Sequence, residues 1–196
     1  AFVSSLDGLP SIYLMNEDGN DQNRLTESDG EDYEPDWSRD GSRIVFDSLR
    51  DGNRDIYVMN ADGTGQSRLT ENVGSDAAAT WSPDGNRIAF SSDRDGDHEI
   101  YVMNADGSDQ RRLTTSPGLD SSPHWSPDGS LIAFRSHRDG NSEIYVMYSD
   151  GTGQSRLTIN DSQDVSPNWS RSGYRIAFAS DRAGNFDIYA MNLDGS

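Results

Sequence analysis

Cysteine is absent from the 196 residues, which removes disulfides and thiolate metal sites and leaves the redox compartment unspecified. Lysine is absent as well, so all 16 basic residues are arginine. No stretch approaches the roughly 20 apolar residues that cross a bilayer. With 32% hydrophobic residues and a mean hydropathy of −0.82, membrane insertion is not expected. Positive charge is scarce against 34 acidic residues, and the net charge of −18 argues against nucleic acid or an anionic membrane surface as a partner. Basic partners or divalent cations fit that charge better. A leader is missing too: the chain opens on Ala1, as expected of a cleaved signal peptide or an excerpt of a longer protein.

What the chain has in abundance is turn chemistry. Aspartate supplies 27 of the 34 acidic residues and glycine 19 positions, a composition that reads as a succession of hairpins. The hairpins repeat. Trp37, Trp81, Trp125 and Trp169 are 44 residues apart, as are Phe2, Phe46, Phe90, Phe134 and Phe178. Tyr13, Tyr57, Tyr101, Tyr145 and Tyr189 keep the same period, and a Met follows each two places on, without insertion or deletion. Such self-similarity is the mark of a repeat architecture.

One period holds four short strands, a to d from the inside outward, between turn signals. In the third unit, strand a ends at Trp81-Ser82 and Pro83-Asp84-Gly85 turns the chain into strand b, Arg87 to Ser91. Asp95-Gly96-Asp97 leads to strand c, Glu99 to Met103, and Asp106-Gly107 to a strand d ending in Arg112-Leu113-Thr114. Strand c is apolar on both faces, with Ile100 and Val102 opposed to Tyr101 and Met103, so its sheet must be covered on both sides. Stacking like blades around an axis does this, whereas a helical solenoid is excluded by the spacing of apolar residues.

The run P-x-W-S-P-D-G, I-A-F-x-S, D-R-D-G-N-x-E-I-Y-V-M-N-x-D-G, R-L-T resembles the repeat of TolB-like β-propellers over the whole chain. The resemblance implies an all-β propeller of four-stranded antiparallel blades and an extracytoplasmic, periplasmic or secreted, location. It does not select a function, because the family includes the periplasmic Tol-Pal component, propellers that precede peptidase domains and many secreted proteins. The blades are expected at 1–26 (b-c-d), 33–70, 77–114, 121–158 and 165–196 (a-b-c), giving 18 strands, about 4.5 blades and a partial or interrupted ring. Neither terminus completes the other without peeling a strand from its own sheet. An excerpt of a longer array is therefore expected, or a homo-oligomer in which another chain finishes the incomplete blades.

Several columns could carry chemistry. Asp32, Asp76, Asp120 and Asp164 precede strand a, while Arg50, Arg94, Arg138 and Arg182 follow strand b two residues after Ser48, Ser92, Ser136 and Ser180. Repetition in every blade favours a framework role, each Asp pinning its loop to Ser, Arg or backbone amides; the alternative is a ring of carboxylates that gathers cations. The d-to-a loops vary between blades, so a loop-face binding site is expected there, with Asp32, Asp76, Asp120, Asp164, Tyr33, His124 and Asn168 as its candidates.

Asp93, Asp95, Asp97 and Glu99 alternate around Gly96 like part of an oxygen-ligand calcium loop, although hairpin chemistry explains the same residues. His124 and His137, with Asp120, form a further candidate metal set. No other cofactor is expected. No G-x-S-x-G stretch, phosphate loop or dinucleotide fingerprint is present. The expectation is a non-catalytic scaffold that binds a protein or peptide through its loop face or channel. Its alternatives are a self-assembling or cation-dependent structural module and the propeller part of a larger peptidase or polysaccharide-active enzyme.

Overall fold

Turns recur so often that no strand exceeds six residues, and each pairs with the strand next to it in sequence. The computed structural model describes all 196 residues and contains 18 strands in five antiparallel sheets. Blade 1 holds β1 (Phe2–Ser4), β2 (Ser11–Leu14) and β3 (Asn23–Arg24), and blade 2 holds β4 (Asp32–Trp37), β5 (Arg43–Ser48), β6 (Asp55–Asn60) and β7 (Ser67–Arg68). Blade 3 comprises β8 (Asp76–Trp81), β9 (Arg87–Ser92), β10 (Glu99–Asn104) and β11 (Arg111–Arg112). Blade 4 comprises β12 (Asp120–Trp125), β13 (Leu131–Ser136), β14 (Glu143–Tyr148) and β15 (Ser155–Arg156). Blade 5 ends the chain with β16 (Asp164–Trp169), β17 (Arg175–Ser180) and β18 (Asp187–Asn192). The result is an all-β, partial propeller.

One boundary differs from the sequence reading. The stretches placed in d-to-a loops are strand, beginning at Asp32, Asp76, Asp120 and Asp164. A bulge in each a strand hides this from a period-two pattern: in blade 2 the register with β5 jumps between Tyr33 and Asp36. The bulged residues Glu34, Ala78, Ser122 and Ser166 all take left-handed backbone angles, with φ of 50°, 55°, 53° and 54°. Such angles cost a non-glycine residue roughly 1–2 kcal/mol and turn the following side chains to a new direction.

The blades stack by opposite faces. Trp81, Ile88, Phe90, Tyr101 and Met103 of blade 3 press on Val45, Ile56 and Val58 of blade 2. Trp125, Ile132, Phe134, Tyr145 and Met147 of blade 4 repeat this against Ala89, Ile100 and Val102 of blade 3. At the outer rim, Gly107 (φ +86°) lies so near the backbone of Leu69 that a Cβ there would meet the Leu69 carbonyl oxygen at 2.9 Å. Guanidinium groups add to the junctions, Arg43 lying 4.4 Å from the Trp81 ring and Arg87 4.8 Å from Trp125. The two end faces are uncovered: Ile188 is 79% exposed, whereas Ile56, Ile100 and Ile144 of its column are fully buried.

Asp47 is a charged exception inside the junction of blades 2 and 3. Its column carries Ser91, Arg135 and Ala179 elsewhere. Asp47 is fully buried, pairs with Arg54 through one oxygen and leaves the other without a partner. Burial pushes its carboxyl up to about 7, against the opposing pull of Arg54.

Ile100→Ala should lower stability by about 2–5 kcal/mol in urea unfolding. Ile188→Ala should stay within about 0.5 kcal/mol of the parent. Asp47 holds its proton to a higher pH when folded than when unfolded. Its contribution is therefore fully present below an unfolded carboxyl's value of about 4 and is lost as pH rises through 7. Asp47→Asn should melt with the parent near pH 4 and above it at pH 8, and equal melting at both would refute this account.

Candidate functional site

The repeated polar columns are consumed by the framework. Asp32, Asp76, Asp120 and Asp164 are fully buried, which withdraws them from the loop-face site expected of them. Each accepts a hydrogen bond from the Arg of its own blade, at 2.9 Å for Arg50, 3.0 Å for Arg94, 2.8 Å for Arg138 and 3.0 Å for Arg182. The Arg Nε donates to the preceding Ser, as Arg94 does to Ser92 at 2.8 Å, and in blades 2 to 4 Nη1 donates to the Gln just before strand d, as Arg94 does to Gln110 at 2.6 Å. That Gln donates in turn to the previous blade, Gln110 to the Leu69 carbonyl at 3.1 Å. The guanidinium also lies over two rings of its blade, 5.3 Å from Phe90 and 4.7 Å from Tyr101.

The candidate calcium loop is dispersed in the same way. Asp93 accepts the Ser75 amide at 2.6 Å with His98 at 3.8 Å, Asp95 accepts the Tyr101 hydroxyl, and buried Glu99 pairs with Arg112 and Thr114. Asp97 is exposed at the turn. In blade 4, Tyr145 donates to Asp139 of its own blade and is pushed up to about 12 by burial and by that acceptor. His124, His137 and Asp120 are not brought together either. His124 Nδ1 lies 3.2 Å from the Trp125 carbonyl and His137 Nδ1 3.4 Å from Ser142, while Asp120 is bound to Arg138. No three His, Asp or Glu side chains converge as a metal site.

What varies from blade to blade lies on the axis. Successive a strands contact one another, and their bulge aims two columns at the space between them. The first is Glu34, Ala78, Ser122 and Ser166, and the second Asp36, Thr80, His124 and Asn168. Two cavities, of about 290 and 270 Å³, meet at Asp36, Thr80 and His124. The larger is walled by Trp37, Trp81, Trp125 and Trp169 and reaches Arg39 and Arg171 of the a-to-b turns. The smaller is lined by the bulges and by Asn168.

Contacts between blades hold this neck in place. Asp36 accepts the Thr80 hydroxyl at 3.0 Å and the Trp81 amide at 2.9 Å. Burial raises its carboxyl above the ordinary range, opposed by those two donors and by His124. Burial likewise lowers His124, opposed by Asp36. Trp169 Nε1 donates to the His124 carbonyl at 3.0 Å, and Arg39 reaches from blade 2 to the Pro127 carbonyl of blade 4 at 3.0 Å.

Of the sequence candidates, His124 and Asn168 thus line the axial cavities. Tyr33 instead donates to Glu31 at 2.9 Å beneath the Arg54 guanidinium. Asp36, Thr80, Arg39 and Arg171 were missed. Their signal is a fixed offset from the Trp column combined with a change of residue type in successive blades.

A sequence model of the TolB β-propeller domain matches residues 1–72, 48–119 and 114–196. The chain belongs to the TolB β-propeller family. No curated protein matches its sequence. Among solved structures, TolB from Acinetobacter baumannii is similar to this TolB-like propeller with a TM-score of 0.84 at 24% identity, over 94% of this chain and 47% of that one. The chain thus spans about half the length of that structure. A TolB-annotated protein of Agrobacterium tumefaciens gives a TM-score of 0.72 at 24% identity, over 95% and 86% of the two chains. An oligogalacturonate lyase solved with manganese gives 0.70 at 21%, over 94% and 55%. At these identities the likeness is one of fold.

The loop carboxylates of this TolB-like propeller have partners of their own, so calcium and chelator should give the same melting temperature. Asp95→Ala should lower stability by about 1–2 kcal/mol, through loss of the Tyr101 acceptor, to the same extent in either condition. A calcium-dependent rise that Asp95→Ala removes would contradict this.

Proposed function

We propose that this TolB-like propeller is a non-catalytic binding scaffold that holds a protein or peptide partner along its axial channel, in an extracytoplasmic compartment. The observation that carries the reading is the contrast among four blades of a single chain. Positions that build each blade repeat, as in the Asp, Ser and Arg columns, while Asp36, Thr80, His124 and Asn168 occupy one axial column with four different chemistries. A framework demand would be the same in each blade, so the variation fits a ligand that meets each blade differently. The strained bulges beneath these residues fit a site as well, since such backbone persists where the surroundings impose it. The family supports the extracytoplasmic setting.

The channel reading is tested by selecting a phage-displayed library of linear peptides, flanked on both sides, against the protein. Enriched peptides should bind the parent and lose at least tenfold in affinity to Asn168→Trp, which fills the smaller cavity from an exposed position. Absence of enrichment, or equal binding to the filled variant, would overturn the reading.

A further inference from the structure

The grooves between blades on the side of the a-to-b turns offer an internal comparison. Between blades 2 and 3 the groove measures about 410 Å³ and is bordered by Arg39, Asp40, Arg43, Asp84 and Asn86, with Arg43 lying over the Trp81 ring. Its counterpart between blades 4 and 5 measures about 440 Å³ and is lined by Leu131, Trp169, Tyr174 and Leu193. Three of these depart from the repeat. Leu131 stands where blades 2, 3 and 5 have Arg43, Arg87 and Arg175, Tyr174 where blades 2 to 4 have Ser42, Asn86 and Ser130, and Leu193 where those blades have alanine or serine. A fourth departure adjoins them: Tyr148, paired with Leu131 across β13 and β14 and so on the same face, replaces the asparagine of every other blade.

Packing does not ask for these residues. Blades 2 and 3 join with polar side chains at the same places, where Ser42, Asn60, Asn86 and Asn104 are exposed although their blades are flanked on both sides. Tyr174 is 77% exposed and Tyr148 57%, so their rings gain little burial within the chain. Apolar and aromatic surface gathered at one junction and left in water marks an interaction site. The groove is acidic as well. It lacks both arginines of its counterpart and keeps Asp128, whose Oδ1 is taken by Ser126 and Ser130 and whose Oδ2 accepts no hydrogen bond.

We propose that this groove is a docking site, separate from the axis, for a basic segment of a protein partner that seats an aromatic or aliphatic side chain against Leu131, Tyr174 and Leu193 and places an adjoining Arg or Lys on Asp128. The site goes beyond the channel reading and does not rest on it. Exposed tyrosines suit such a contact, since each offers a large rigid ring to an apolar side chain and its face to a cation. The net charge of −18 draws a basic segment in and turns an acidic one away. A saccharide fits less well. The hydroxyls of Ser126 and Ser130 are spent on Asp128, and that of Ser172 on Ser170, which leaves few groups at the rim to read a sugar.

The test is isothermal titration with a panel of capped hexapeptides that carry Trp, Phe or Leu between two arginines, beside maltotriose and chitotriose. Members of the panel should bind, and the same peptides with Glu for Arg, or Ser for the apolar residue, should be at least tenfold weaker. Leu131→Arg combined with Tyr174→Ser installs the residues of blade 2, so this variant should melt as a folded protein and lose at least tenfold. Leu193→Ala should lose several-fold. Absence of binding by the whole panel, or equal binding to the double variant, would overturn the site. Binding that is lost in Asn168→Trp and kept in the double variant would place the peptides in the channel instead. Equal affinity for the Glu peptides would overturn the basic partner, and an oligosaccharide that outbinds every peptide with the same dependence on Tyr174 would assign the groove to a sugar.

Discussion

A β-sheet that is apolar on both faces cannot stand alone in water, and the organisation of this protein follows from how each blade covers both. One face carries the large residues, Trp, Ile, Phe, Tyr and Met, and the other the smaller Ala or Val, Ile and Val. Large meets small at every junction, so identical units fit one another without a second kind of surface. Burial of the large set, at about 1.5–3 kcal/mol for each fully covered side chain, supplies the stability that short strands and two-residue d strands cannot supply themselves. Polar columns then fix the rotation of one blade on the next.

The aspartates are the least expected part of that economy. Each blade uses Asp at its turns, beneath its Arg and beside its Tyr, as the sequence Asp76, Asp84, Asp95 and Asp106 of blade 3 shows. Ser82 and the Asn86 amide hold Asp84 below the ordinary carboxylate range, and Ser108 does the same for Asp106 through its hydroxyl and amide. The acidity of the chain is thus largely turn and clamp chemistry repeated several times. Only off the repeat, at Glu34 and Asp36, does negative charge reach the axis.

Much of this was legible in the sequence because the determinants are local. Asp-Gly turns, the alternation of Ile88 and Phe90 with Ala89, and the unbroken period located the strands and their two faces. The framework role of the Asp column followed from its recurrence. The axial site was legible only in part, through His124 and Asn168. Its direction is set by a left-handed residue in each a strand, and Glu34, Ala78, Ser122 and Ser166 share no side-chain property that announces such a conformation. Reading past the bulge as a loop moved Asp32 to the surface on paper, while the chain folds it fully inside. The Asp95 loop has the spacing of a cation site, yet the Tyr and Arg that engage its carboxylates come from strands c and d and are set by sheet pairing. His124, a candidate both for the loop face and for a metal set, belongs to the axis, where it lines the same cavities as Asp36 two blades away.

The glycine at each outer rim has a further consequence. With backbone touching backbone at Gly107 and Leu69, and indole rings filling the inner end, neighbouring blades are braced at both radii, and the wedge angle between them is not adjustable. The bore of the central channel is therefore governed from its periphery. A side chain grafted onto the rim, far from any ligand, would pry the wedge open and change the calibre of the passage at the hub.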